Sequence, residues 1–142
     1  MVVSSDSIPI AIILGAGNEH DSRKFEQVVG SVRINAGRGR PKTRPKEVLA
    51  DAAYDTESIR CYLRKRGIKS SIPSNKRNQK TPSRGRPTRF DEKSYKNRGA
   101  VERFFGWLKL GFRRISVRYE RLDVCFAGWI LLASFLIIWR MM

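Results

Sequence analysis

Apolar residues near the start of the chain and in two later short runs have the length and boundaries of β-strands. Met1–Ser4 and Ile8–Leu14 predict two strands joined by a polar turn at residues 5–7. Glu47–Ala50 and Ile68–Ile72 predict two more, the first followed by Asp51 and the second closed by Pro73.

Between and after these strands, apolar residues recur three and four positions apart, which is the helical period. One such helix carries Phe25, Val28, Val29 and Val32, and another carries Ile59, Tyr62 and Leu63. Asp55 or Thr56 is placed to cap the second of these, and Gly67 to end it. A third helix spans Tyr95–Lys109, with apolar positions at Val101, Phe104, Phe105 and Leu108, and Phe112 continues this spacing. The resulting order of strands and helices predicts an α/β fold in which helices pack on a mixed sheet.

The last apolar stretch, Val124–Trp139, contains sixteen residues without a charge and lies between Asp123 and Arg140. A membrane-spanning helix needs about 20 such residues, and this stretch is shorter. A helix that is apolar all round is also typical of a buried central helix. The sequence therefore favours burial of a helix over about 123–140, with a small membrane protein as the alternative.

The net charge of the chain indicates which class of molecule it binds. Twenty-nine Lys and Arg against thirteen Asp and Glu give a formal net charge of +16. A surplus of this size favours nucleic acid as the partner, with an anionic membrane surface second. The two cysteines, Cys61 and Cys125, are far apart and suggest neither a disulfide framework nor a zinc site, so a reducing cytoplasm is expected.

Two basic loops, residues 33–46 and 74–89, both contain the sequence Arg-Gly-Arg-Pro. It resembles the core of AT-hook segments that enter the minor groove, where narrow A·T tracts attract arginine. Contact with phosphates without reading of sequence is the more general expectation, and solvated loops that aid solubility are the alternative. The arginines concerned are Arg38, Arg40, Arg84 and Arg86.

The predicted helix Tyr95–Lys109 brings polar chemistry to one edge. Tyr95, Arg98, Glu102 and Lys109 fall within roughly 60° of one another at helical spacing. A carboxylate there can hold a hard divalent cation, and the flanking cations can bind phosphate. An ordinary salt bridge between Arg98 and Glu102, four residues apart, is the alternative.

The complete spacing Y-x2-R-x3-E-x6-K, with its context NRGAVERFFGWLK and RRISVRYE, resembles the Tyr-Arg-Glu-Lys signature of bacterial insertion-sequence transposases of the DDE type. The segment VLADAAYD resembles the second acidic motif of that family. The resemblance implies that Asp51 and Glu102 are the second and third catalytic acids and hold Mg²⁺ or Mn²⁺. It implies that Arg98 and Lys109 contact DNA near the cleaved end. Arg113 and Arg114 extend the basic surface, and Tyr95 either stacks on a base or packs on its helix.

The first acid of the family has no counterpart in this sequence. The segment VVSSDSIPIAIILGAGNEHDS resembles the end of the family's second strand and the third strand that follows, so the first strand and its acid would precede Met1. In the ribonuclease-H-like fold that the resemblance implies, Asp6 lies in a turn at the opposite end of the sheet from Asp51. The expectation is an N-terminally truncated catalytic domain spanning 1–142. Cleavage and strand transfer at insertion-element ends would be incomplete in this chain without a partner. Element ends, target DNA, and the upstream half or an intact transposase are the expected partners, in a bacterial cytoplasm and associated with the nucleoid. A basic DNA-binding protein without turnover is the alternative.

Overall fold

The computed structural model describes residues 1–35, 37, 39–75 and 90–141. Short strands come first along the chain and helices dominate its second half, so the α/β class predicted from the sequence is confirmed. The strands in this part of the chain are β1 (Val2–Val3), β2 (Pro9–Ala11), β3 (Glu47–Leu49) and β4 (Lys69–Ser71). The α-helices are α1 (Phe25–Gly30), α2 (Glu57–Lys65), α3 (Glu92–Tyr95), α4 (Ala100–Gly111), α5 (Arg113–Ser116) and α6 (Asp123–Met141).

The strands form two separate pairs in the described residues, which differs from the single mixed sheet predicted. β1 pairs with β2 antiparallel, and β3 pairs with β4 parallel, with Val48 opposite Ser70. Each strand has only two or three regularly paired residues. In the first pair the register shifts between Val2 and Val3. The turn at 4–8 is closed by Ser4, whose N–H donates to the Ile8 carbonyl and whose hydroxyl accepts from the Ile8 N–H. In these residues, no strand of one pair is hydrogen-bonded to a strand of the other.

The hydrophobic core has two parts, and β1 lies between them. Successive side chains of a strand point to opposite faces. Val2 packs with the first part, formed mainly by α1, α2 and the residues beside β4. Val3 packs with the second part, in which α4 meets α6 through Phe104, Leu108, Ile130 and Ala133.

The first two helices agree with the sequence pattern. A 3₁₀ turn at Asp21–Lys24 leads into α1, and all four predicted apolar residues from Phe25 to Val32 are buried. Thr56 caps α2 by accepting from the Ile59 N–H, so the cap is Thr56 and not Asp55. Gly67 has φ of +63° directly after the helix, a conformation that favours glycine.

The region predicted as one helix over Tyr95–Lys109 consists of three helical segments. α3 ends at Tyr95, a 3₁₀ turn spans Lys96–Gly99, and α4 begins at Ala100. Asn97 and Gly99 have poor intrinsic helix propensity, which accounts for the tighter turn. Phe104 and Leu108 are buried as predicted, whereas Phe105 is exposed.

The predicted burial of the last helix is wrong for most of its surface. In α6 the buried residues are Ile130, Ala133 and Ser134, while one side of the helix is exposed along its whole length. The error has a physical cause: a helix that is apolar all round gives no periodic signal to show which faces are covered. By length and composition, α6 is the one helix in the described residues that could cross a membrane.

Candidate active site at Asp51 and Glu102

Asp51 lies just beyond the C-terminal end of β3, where the chain leaves the parallel pair. It precedes the 3₁₀ turn Ala52–Tyr54, and its side chain makes no capping hydrogen bond to that turn. Its carboxylate is 58% exposed. Because the Asp51 carboxylate does not cap the turn, it is available to bind other groups.

Arg98 connects Asp51 to Glu102, which is 51 positions later in the chain. The Nη1 atom of Arg98 donates to Asp51 Oδ1 at 2.7 Å and to Glu102 Oε1 at 3.4 Å. The Asp51 carboxylate makes the largest contribution to raising the pKa of Arg98, and Glu102 adds to it. The structure therefore brings the two sequence-predicted acids together around one guanidinium nitrogen.

Tyr95 completes this cluster and packs on its own helix region. Its hydroxyl donates to Asp51 Oδ1 at 3.4 Å, and its ring lies against Phe90 with 5.0 Å between ring centroids. The Arg98 guanidinium lies 5.6 Å from the Tyr95 ring centroid, a cation–π contact. Burial, followed by the Asp51 charge, raises the pKa of Tyr95, while Arg98 acts in the opposite direction.

A second charged network, which the sequence analysis missed, positions α3 beside the β3–β4 pair. Lys69 Nζ on β4 contacts Glu47 Oε1 on β3 at 3.2 Å and Asp91 Oδ2 at 2.9 Å. Asp91 also caps α3 by accepting from the Ser94 N–H. The Lys69 hydrogen bond, and then Ser94, hold the pKa of Asp91 well below its ordinary value. The cap could have been found from the pattern Asp-x-x-Ser, but Lys69 could not, since it is 22 residues away.

The two acids fit two of the protein ligands of a hard divalent cation. Both oxygens lie within 3.4 Å of one cationic nitrogen, and magnesium commonly takes one or two protein carboxylates together with water and phosphate oxygens. Among the described residues, no group of three or more His, Cys, Asp or Glu side chains is arranged to hold a metal ion. Asp6 lies in the turn after β1, as predicted, and Asp55 is paired with Arg60.

Of the other predicted DNA-contacting residues, some are exposed, one is paired, and others lie outside the described residues. Lys109 is exposed on α4, seven residues after Glu102 and so about 10 Å further along the helix axis. Arg113 and Arg40 are exposed, whereas Arg114 pairs with Glu120 and stacks on Trp129. Arg38, Arg84 and Arg86 lie outside the described residues. Within the first basic loop, Ile34 and Lys42 pair in a single antiparallel β-bridge.

Comparison with known proteins places the chain in a family. The family model described as Transposase DDE domain matches residues 1–138. A Burkholderia cepacia protein named as a transposase for insertion sequence element IS402 is 32% identical over 141 residues, covering 99% of this chain and 61% of the relative. A Brucella ovis protein named as a transposase for IS6501 is 34% identical over 90 residues, covering 63% of this chain and 65% of that relative.

The chain thus spans about three-fifths of the length of the first of these relatives. No solved structure gives a significant match. On the family match over nearly all of its length, the chain belongs to the DDE transposases of bacterial insertion sequences.

Proposed function

We propose that this chain supplies part of the active site of a transposase that cleaves the ends of an insertion element and transfers the strand to target DNA. Asp51 and Glu102 are two of its metal-binding acids, and Arg98 and Lys109 bind phosphates near the cleaved end. We further propose that the α/β chain is a partial catalytic domain of the ribonuclease-H-like class. Its action would take place in the bacterial cytoplasm, at the nucleoid.

The observation that carries this proposal is the bridging position of Arg98. Two carboxylates, one just beyond the end of β3 and one on α4, converge on one cationic atom. Convergence of acids from different elements is what a metal-dependent phosphodiester site requires. The pair is also exposed, at 58% for Asp51 and 71% for Glu102, so a DNA strand can reach it.

A bound Mg²⁺ or Mn²⁺ would supply charge neutralisation at the phosphodiester and stabilise attacking and leaving oxygens. The residues of this chain have separate tasks around it. Asp51 and Glu102 would hold the ion, and the Arg98 guanidinium would turn from the acids to a DNA phosphate, for which its planar fork is suited. Tyr95, packed on Phe90 and bonded to Asp51, would keep the Asp51 side chain oriented.

A third acid of the site would come from outside the described residues. We propose that it is provided by an upstream half or by an intact transposase that associates with this chain. The net charge of +16 favours a second function, a basic DNA-binding protein that modulates an intact transposase without turnover.

A nicking and binding assay on labelled element ends separates these two functions. With Mg²⁺ or Mn²⁺, the chain supplemented with an intact relative would nick the ends, and Glu102→Gln would remove its contribution. Glu57→Gln is the matched control, because Glu57 is also in the first turn of a helix, exposed and paired with an arginine. The DNA-binding role predicts salt-sensitive binding to the ends, with nicking by the relative either unchanged or inhibited whether the wild type, Glu102→Gln or Glu57→Gln is added. This result would reject the catalytic role.

A further inference from the structure

The exposed side of α6 is a continuous apolar stripe that nothing in the proposed active site uses. Helical spacing places its residues on one arc of the helix, with no charge between Asp123 and Arg140. The stripe consists of Val124, Gly128, Leu131, Leu132, Phe135 and Trp139, and the five residues with side chains are 48–84% exposed large hydrophobics. A contiguous patch of this kind on a soluble protein marks an interaction surface.

We propose that a second copy of this chain packs on this stripe, with the two α6 helices antiparallel. Full overlap of the two uncharged runs places Gly128 of each copy opposite Phe135 of the other. A Cβ placed on Gly128 would meet nothing within 4 Å outside its own helix backbone, so the ring has room to approach the partner's backbone. The same register sets the small Val124 opposite the partner's Trp139, so large side chains meet small ones at corresponding places.

Charge favours the antiparallel arrangement over a parallel one. Four arginines lie in the ten residues before α6: Arg113, Arg114, Arg118 and Arg121. Parallel packing would bring the two clusters together, whereas antiparallel packing keeps them at opposite ends. It also aligns the helix dipoles favourably.

The area is sufficient for a specific dimer. With side-chain areas of the usual size, the exposed fractions of the stripe amount to roughly 600–700 Å² per copy, near the ~800 Å² per partner of a standard interface. A two-fold axis makes the contact isologous and closed, so it gives a dimer and not a filament.

Sedimentation analysis of the full chain, at high salt after nuclease treatment, tests the contact. The wild type is expected to be a dimer at micromolar concentration, and Phe135→Glu a monomer with an unchanged circular dichroism spectrum. Leu110→Glu is the control, since Leu110 is a 90% exposed leucine on α4, and this variant should stay dimeric. A monomeric wild type would overturn the proposal. Binding of that monomer to anionic phosphatidylglycerol vesicles, lost in Phe135→Glu, would assign the stripe to a lipid surface.

Cysteine cross-linking tests the register independently of the dissociation constant. In a Cys61→Ser, Cys125→Ser background, Gly128→Cys combined with Phe135→Cys should form a disulfide-linked dimer on oxidation. The two positions are about 10 Å apart within one helix, too far for an internal disulfide. Neither single variant should cross-link. A cross-linked Gly128→Cys single variant would indicate parallel packing and overturn the arrangement.

Discussion

Two aspartates four positions apart, Asp51 and Asp55, allow a direct comparison of a site residue with a structural one. Asp55 Oδ1 contacts Arg60 Nε at 2.5 Å, with side chains only 13% and 11% exposed. The second oxygen of Asp55 accepts from the Asn75 N–H at 2.6 Å, and Arg60 also donates to the Ile72 carbonyl. The Asp51 carboxylate is 58% exposed. The same substitution, Asp→Asn, should therefore have opposite consequences at the two positions.

For Asp55→Asn we expect a loss of about 3 kcal/mol in the free energy of unfolding. Breaking a buried pair by removing one charge typically costs about 3–5 kcal/mol, and the low end applies because asparagine keeps the shape and one acceptor oxygen. For Asp51→Asn, the change should stay within about 0.5 kcal/mol, as for other exposed positions.

Urea unfolding followed by circular dichroism measures both values, and a Mn²⁺ titration followed by electron paramagnetic resonance measures the metal affinity of the same samples. Asp51→Asn should weaken Mn²⁺ binding and leave stability unchanged, while Asp55→Asn should do the reverse under conditions where it is folded. Equal destabilisation by the two variants would show that Asp51 is structural. Loss of Mn²⁺ binding in a stable Asp55→Asn variant would refute the assignment of the site to Asp51.

Three further predictions concern the helices around the site. Phe104→Ala leaves a cavity at a fully buried position on α4, so it should lower the free energy of unfolding by about 3–5 kcal/mol in the same urea assay. A loss below about 1 kcal/mol would contradict the packing of α4 on α6. Arg98→Gln removes the cation that lies between the two acids, so the affinity for Mn²⁺ without DNA should rise about two- to fivefold, while the affinity for element ends should fall. An unchanged Mn²⁺ affinity would show that Arg98 does not compete with the metal ion for the acids. Lys69 and Ser94 lower the pKa of Asp91, so the Asp91 carboxylate should stabilise the folded chain above the ordinary carboxyl pKa, and this stabilisation should be lost as the pH falls below it toward the lowered value. On acidification, the NMR resonance of the Ser94 amide should shift in the wild type and not in Asp91→Asn.

Local chemistry was predictable where one short segment contains the whole signal. The helix α2 illustrates this: the Thr56 cap, the buried Ile59 and Leu63, and Gly67 with positive φ all lie within twelve residues. The convergence of Asp51 and Glu102 was a prediction from the family resemblance, and the structure brings them to a shared guanidinium. Their roles in metal binding and catalysis stay predictions.

Features that depend on tertiary packing were not predictable from the pattern. The apolar run of α6 reads the same whether it is covered or exposed, so its free face appears only in the structure. The division into two strand pairs also depends on pairing between distant segments, since β3 pairs with β4 and Glu47 lies opposite Lys69. The Lys69 contacts to Glu47 and Asp91 join three segments that no local spacing relates.

A double-mutant cycle on Mn²⁺ affinity shows whether Asp51 and Glu102 bind one divalent cation together. Asp51→Asn and Glu102→Gln are measured singly and combined, with Asp6→Asn and Glu57→Gln as exposed controls. If the acids share one ion, each single substitution should remove most of the binding, and the double variant should lose little more, because the effects of coupled residues do not add. Full additivity of the two losses, or wild-type affinity in either single variant, would contradict the shared site.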